Sequence, residues 1–234
     1  MFEPLRIALV AEGVTDYEML RAAIDSMLAG RSFDLKLLQP EGSVAFIGGG
    51  WRGVYKWCLQ LVERGGGRLS GDPLFDGYDL LLIHLDADVA GEDPANYPVN
   101  PMPEVAGVLP CEEPCPPARA TTGNLRQVLL AWIGESRVPA RTVVCTPSKN
   151  IEAWVMAVFF PHDRDMKRKG WECHPDPEVR LRQQPKGKRF AKSWAEYRER
   201  QSDLREAWPS VVVRLPEARR FQEDFIEALR LRQS

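Results

Sequence analysis

The chain has 234 residues, of which 44% are hydrophobic and 27% charged, and its formal net charge is −2. This is the mix of a folded globular chain, enough for one large domain or a medium domain with an appendage. No apolar run approaches the roughly 20 residues that a membrane-spanning helix needs, and the start MFEPLRIALV lacks the features of a secretory signal, so a cytoplasmic protein is expected.

The near-neutral total conceals an asymmetry. Residues 1–163 carry 13 Lys/Arg against 21 Asp/Glu, residues 164–192 carry 10 against 4, and residues 193–234 carry 8 against 8. An acidic body suits cations and a basic segment suits a polyanion, although a solvated surface loop has the same composition.

Leu5–Ala11 is a short apolar run suited to a strand buried on both faces. Thr15 and Glu18 have the spacing of a capping box, which predicts a helix from about Asp16 to Gly30. Leu35–Leu38 predicts a second strand. After the turn-rich GGGWRG at 48–53, the residues Val54, Trp57, Cys58, Leu61 and Val62 repeat as the buried face of a second helix.

YDLLLIHLDADV, residues 78–89, reads as the most apolar strand, and it finishes in acid. Residues 94–117 hold eight prolines in 24 positions and read as a long surface insertion in the place of a lid. A helix is predicted over Thr122–Trp132 and a strand over Arg141–Thr146. Ser148 then stands as the N-cap of a helix with the sequence KNIEAWVMAVFF.

Beyond the basic segment, helical patterns cover Ser193–Trp208 and Pro216–Leu231, with VVVRL between them as a strand candidate. The fold class expected is therefore α/β, with a mainly parallel sheet flanked by helices and a basic, mostly helical C-terminal extension over 163–234 packed on it.

In open parallel sheets, sites gather at the carboxyl ends of the strands. Glu12 ends the first strand, and Asp86 and Asp88 share one face of a later strand if that strand stays extended. Carboxylates this close raise each other's pKa unless a cation lies between them, and Mg²⁺ or Mn²⁺ with oxygen ligands meets that need. Asp16, four residues after Glu12, leans to the same edge. Glu18 reads as a helix-start acid favoured by the dipole.

An apolar strand ending in Glu12-Gly13, a helix opening with Asp16, and a later strand ending in Asp86-Ala87-Asp88 resemble the TOPRIM domain. In the nuclease branch named for overcoming lysogenization defect (OLD), a further acid and a lysine follow the last strand. Lys149 and Glu152 resemble them, three residues apart on one helix face. The resemblance covers about residues 5–160 and places a TOPRIM-like domain at 1–162. No G-x-x-x-x-G-K-[ST] sequence is present, so the chain looks like a standalone TOPRIM-like protein of the bacterial, phage-defence kind, with a separate ATPase as a conceivable partner.

The resemblance implies a nuclease or phosphodiester-transfer enzyme using Mg²⁺ or Mn²⁺. Glu12 would be a metal ligand or general base, Asp86 and Asp88 would hold metal, and Asp16 and Glu152 would complete a second metal position. Lys149 would offset charge growing on the phosphate. One alternative is a catalytically inactive module that binds metal, nucleic acid or nucleotide as a sensor or regulatory subunit. Another is a phosphoacceptor pocket, disfavoured because the paired acids fall on the later strand.

In the basic segment, Lys167, Arg168, Lys169, Lys186, Lys188, Arg189 and Lys192 interleave with Trp171, Phe190 and Trp194, the composition of a nucleic-acid groove. His84 reads first as a core histidine and second as a partner of Asp86. The five cysteines read as reduced thiols, with a zinc site at Cys111 and Cys115 near Cys173-His174 as the rival account.

Overall fold

A computed structural model describes residues 3–40, 49–93, 109–185, 187 and 189–232. Most of the proline-rich insertion, together with Lys186 and Lys188, lies outside the described residues.

Four apolar segments form strands: β1 (Leu5–Val10), β2 (Phe33–Gln39), β3 (Leu80–His84) and β4 (Thr142–Cys145). All pair in parallel, in the order β2-β1-β3-β4. The helices are α1 (Val14–Leu28), α2 (Trp51–Arg64), the short α3 (Leu74–Gly77), α4 (Ala118–Trp132), α5 (Glu152–Phe159), α6 (Arg164–Lys169), α7 (Pro177–Arg182), α8 (Trp194–Glu199), α9 (Gln201–Arg214) and α10 (Pro216–Arg232). No described helix is long and apolar enough to cross a membrane.

Alternate residues of each strand point to opposite faces, and the core divides accordingly. Leu5, Ile7, Leu9, Leu80, Leu82 and Val143 face α1, α5, α9 and α10. Ala8, Val10, Leu81, Ile83 and Val144 face α2 and α4. Burial on both sides explains why β1, β3 and β4 are nearly continuous apolar runs, whereas the edge strand β2, FDLKLLQ, interleaves Asp34 and Lys36. The first core also receives Trp208, Phe221 and Phe225, all fully buried, so α9 and α10 complete it.

VVVRL is not a strand. Residues Val211–Arg214 continue α9 through Pro209, and Leu204, Trp208, Val211 and Val212 bury one helical face while Val213 is exposed. Packing against α1 and α5 overrides the β-preference of the three valines.

The start of α1 also differs. Helix 1 begins at Val14 with Gly13 as N-cap, and the Asp16 carboxylate, not Glu18, accepts from the Gly13 N–H at 2.8 Å. Glu18 instead accepts from Gln201 on α9 at 2.7 Å.

Candidate active site

The chain runs from β1 outward to β2, then returns past β1 to β3, so the strand order reverses between β1 and β3. A crevice opens outside the carboxyl ends of strands at such a reversal. The register sets Val10 beside Ile83. Two residues further on, Glu12 leaves β1 where Leu85 and Asp86 leave β3, and Glu12 Oε1 accepts from the Asp86 N–H at 2.7 Å.

Asp86 is buried, and its Oδ1 accepts from the Ile151 N–H at 2.9 Å, just before α5. This fixes the third chain segment of the site. The Leu85 N–H to Cys145 carbonyl (3.0 Å), Ala87 N–H to Pro147 carbonyl (3.0 Å) and Asp88 N–H to Lys149 carbonyl (2.7 Å) bonds carry the β3–β4 pairing past the strand ends. The acidic turn is thus held by these backbone bonds as well as by the Glu12 and Asp86 carboxylates.

His84, fully buried, stands between two of the acids. Its Nε2 is 3.3 Å from Asp86 Oδ1 and its Nδ1 is 3.7 Å from Asp16 Oδ2, neither in hydrogen-bond geometry. Its full burial accords with the core-histidine reading, though neither ring nitrogen has a hydrogen-bond partner.

Five carboxylates then share one electrostatic environment. Burial, then Asp86, push Glu12 well above the usual carboxylate range. Burial, then Asp16 and Asp88, do the same to Asp86. Asp88 is exposed as a residue, yet loss of hydration raises its carboxyl against the pull of Lys192. Glu152, with no exposed surface, is raised by burial despite the Lys192 ammonium 2.8 Å away.

Two details of the expected site are corrected. Strand β3 stops at His84, and Asp86 precedes a 3-10 turn, Ala87–Gly91, that contains Asp88. The two aspartates meet through that turn and not through strand parity. Lys149 and Glu152 share no helix face, because α5 starts at Glu152 and Lys149 sits before it with φ +61°. A left-handed lysine is rare and marks an over-determined backbone. Its ammonium bonds to Glu112, and Ser148 is no N-cap, since its hydroxyl donates to the Glu172 carbonyl.

The basic segment is largely spent on structure. Lys192 bridges Glu152 and Glu178, both at 2.8 Å, which places its ammonium beside the acidic site. Arg168 and Lys169 pair with Asp165, and Arg189 donates to the Gln184 carbonyl at 3.0 Å. Phe190 is core, and Trp171 packs under Arg214. Lys167 is exposed, and Trp194 is 46% exposed with the Arg198 guanidinium 4.7 Å from its ring centre.

Glu178 and Tyr197 were missed by the sequence reading. Tyr197 is buried with its hydroxyl 3.5 Å from Glu152, and burial followed by that carboxylate raises its pKa well above the usual value. Nothing in their spacing pointed to Glu152 at the start of α5, 45 residues before Tyr197.

Cys115 and Cys173 form a disulfide, so the all-thiol reading fails for that pair and Cys115 offers no thiolate to zinc. Cys58, Cys111 and Cys145 are free.

Among the described residues, no three His, Cys, Asp or Glu side chains already stand as a metal-binding group. The donor chemistry nevertheless fits a hard divalent cation. Every candidate ligand is a carboxylate oxygen, Glu152 Oε2 is buried with no hydrogen-bond partner, and Glu12, Asp86, Asp88 and Glu152 are all raised, by burial first and by neighbouring acids second. Comparison of the chain with family models, curated proteins and solved structures matched none of them.

Proposed function

We propose that the chain is a Mg²⁺- or Mn²⁺-dependent phosphodiesterase acting on nucleic acid, with a TOPRIM-like acidic site. The observation that carries this reading is the meeting of Glu12 and Asp86 at the β1/β3 reversal, joined at 2.7 Å with Asp16, Asp88 and Glu152 beside them. An acid at a strand tip packed against helices is costly unless a cation shares it.

Glu12, Asp86 and Asp88 would hold the first ion, and Asp16 and Glu152 a second. A divalent ion there supplies charge stabilisation to a phosphodiester oxygen. Glu12 and Asp86 each commit one oxygen to a backbone N–H and keep the other for metal or proton. Glu12, raised by its surroundings, is suited to accept a proton from an attacking water. Lys149 would offset charge on the phosphate, which requires its ammonium to leave Glu112. Lys167 and the Trp194–Arg198 pair offer phosphate and base contacts. A separate ATPase partner and a defence role rest on the resemblance alone.

The test is incubation of the purified chain with DNA and RNA, with Mg²⁺, Mn²⁺ or EDTA. Metal-dependent cleavage lost in Glu12→Gln and Asp86→Asn is expected, and cleavage surviving both substitutions overturns the site. A second reading, an inactive metal- and nucleic-acid-binding module, is favoured by one observation: Lys149 and Glu152 are already neutralised by Glu112 and Lys192. Tight binding without cleavage under every metal condition would select it.

A further inference from the structure

At the opposite, amino edge of the same sheet lies a cleft of about 970 Å³. Its walls come from the turn before β3, the α4–β4 connection and the last turns of α10, so it shares no residue with the acidic site. The walls are fixed against each other. Leu69 N–H donates to the Ile133 carbonyl at 2.9 Å, and Ser70 N–H to Glu135 Oε1 at 2.9 Å. Gly134, with φ +70°, packs so closely that a Cβ there would lie 2.1 Å from the Gly67 carbonyl oxygen.

Four arginines and three acids line this cleft. Asp224 is paired with Arg126 at 2.8 Å, and Glu227 with Arg230. Arg141 donates to the carbonyls of Asp79, Phe75 and Tyr78, which orients it without cancelling its charge. Arg68 and Arg137 are exposed and have no partner among the described residues. Three arginines therefore face Glu135 alone. Thr142 also lines the cleft, with its hydroxyl buried beneath the surface.

The geometry points to a binding site for a phosphorylated organic anion of nucleotide size, its phosphates on Arg68 and Arg137 within the field of Arg141, its body against Val138 and Pro139. Arginine suits phosphate through paired N–H donors, and the volume exceeds what bare phosphate fills. The site stands apart from the metal-dependent reading and holds whether or not the acidic edge cleaves anything.

The experiment is titration calorimetry of the full chain with ATP in EDTA, which keeps the acidic edge free of divalent ions, with inorganic phosphate in a parallel arm. Saturable ATP binding is expected, weakened about tenfold in each of Arg68→Ala and Arg137→Ala, whose side chains bear no fold contacts. Absence of ATP binding, or binding unchanged in the Arg68/Arg137 double variant, overturns the proposal. Phosphate binding as tightly as ATP overturns the part given to the apolar wall.

Discussion

The two edges of one four-stranded sheet treat charge in opposite ways. At the amino edge, Arg141 gives its guanidinium hydrogens to three carbonyls and Arg232 pairs with Asp79 at 2.9 Å, so charge is used to close loops. At the carboxyl edge, backbone bonds hold the turns together with the Glu12 and Asp86 carboxylates, and those two carboxylates are crowded into a space that raises their pKa. Charge that holds a fold is satisfied where it stands; charge awaiting a ligand is a local cost.

Removing charge should therefore change stability with opposite sign at the two edges. The largest effect expected is catalytic: Asp86→Asn should lower metal-dependent cleavage at least 10³-fold, about 4 kcal/mol of barrier, measured as single-turnover rate on a labelled oligonucleotide. In metal-free buffer the same substitution should leave the melting temperature equal or higher, because it removes one of several repelling acids. A clear fall in the metal-free melt would mean that Asp86 is structural.

Lys192→Met is the exception that sharpens the contrast. It leaves Glu152 buried without its counterion and should cost about 3 kcal/mol by urea unfolding, with much of that recovered when Glu152→Gln is added. At the amino edge, Arg141→Ala should cost about 2 kcal/mol, since three carbonyls lose their donor. No loss there would break the comparison outright.

A smaller effect follows from pH. Burial, partly offset by the Glu217 N–H, raises Glu172 to about 7 from 4.5. A carboxyl raised in the folded state stabilises fully below its unfolded value, and the benefit is lost as pH rises through the folded one. Stability should thus decline between about pH 4.5 and 7, and Glu172→Gln should flatten part of that decline. Glu12, Asp86, Asp88 and Glu152 are raised too, so any slope left in the Gln variant should shrink further on adding Mg²⁺. A residual slope indifferent to Mg²⁺ and Mn²⁺ would argue against cation binding there.

The parallel sheet was legible because β1, β3 and β4 are apolar runs closed by turn residues or acid. Glu12 and Asp86 were legible as a pair because two such runs end in carboxylates, and parallel strands bring like ends together. The local geometry was not. Strand parity carried past His84 missed the 3-10 turn that sets Asp88, and a helix begun early at Lys149 missed its left-handed backbone. Lys192 sits in a basic stretch that composition assigns to a polyanion, and only tertiary packing turns it toward Glu152, 40 residues earlier. The Cys115–Cys173 bond spans 58 residues with no motif to announce it.

The shared core has a further consequence for how the chain is made. The strands are made before α9 and α10, yet the core that holds Ile7 and Leu9 is completed by Trp208, Phe221 and Phe225 from those last helices. Until those residues emerge that core is incomplete, with the outer faces of α1 and α5 left open. An expression trial of residues 1–162 should give insoluble protein, whereas the same segment supplied with α9 and α10 as a separate peptide should be rescued.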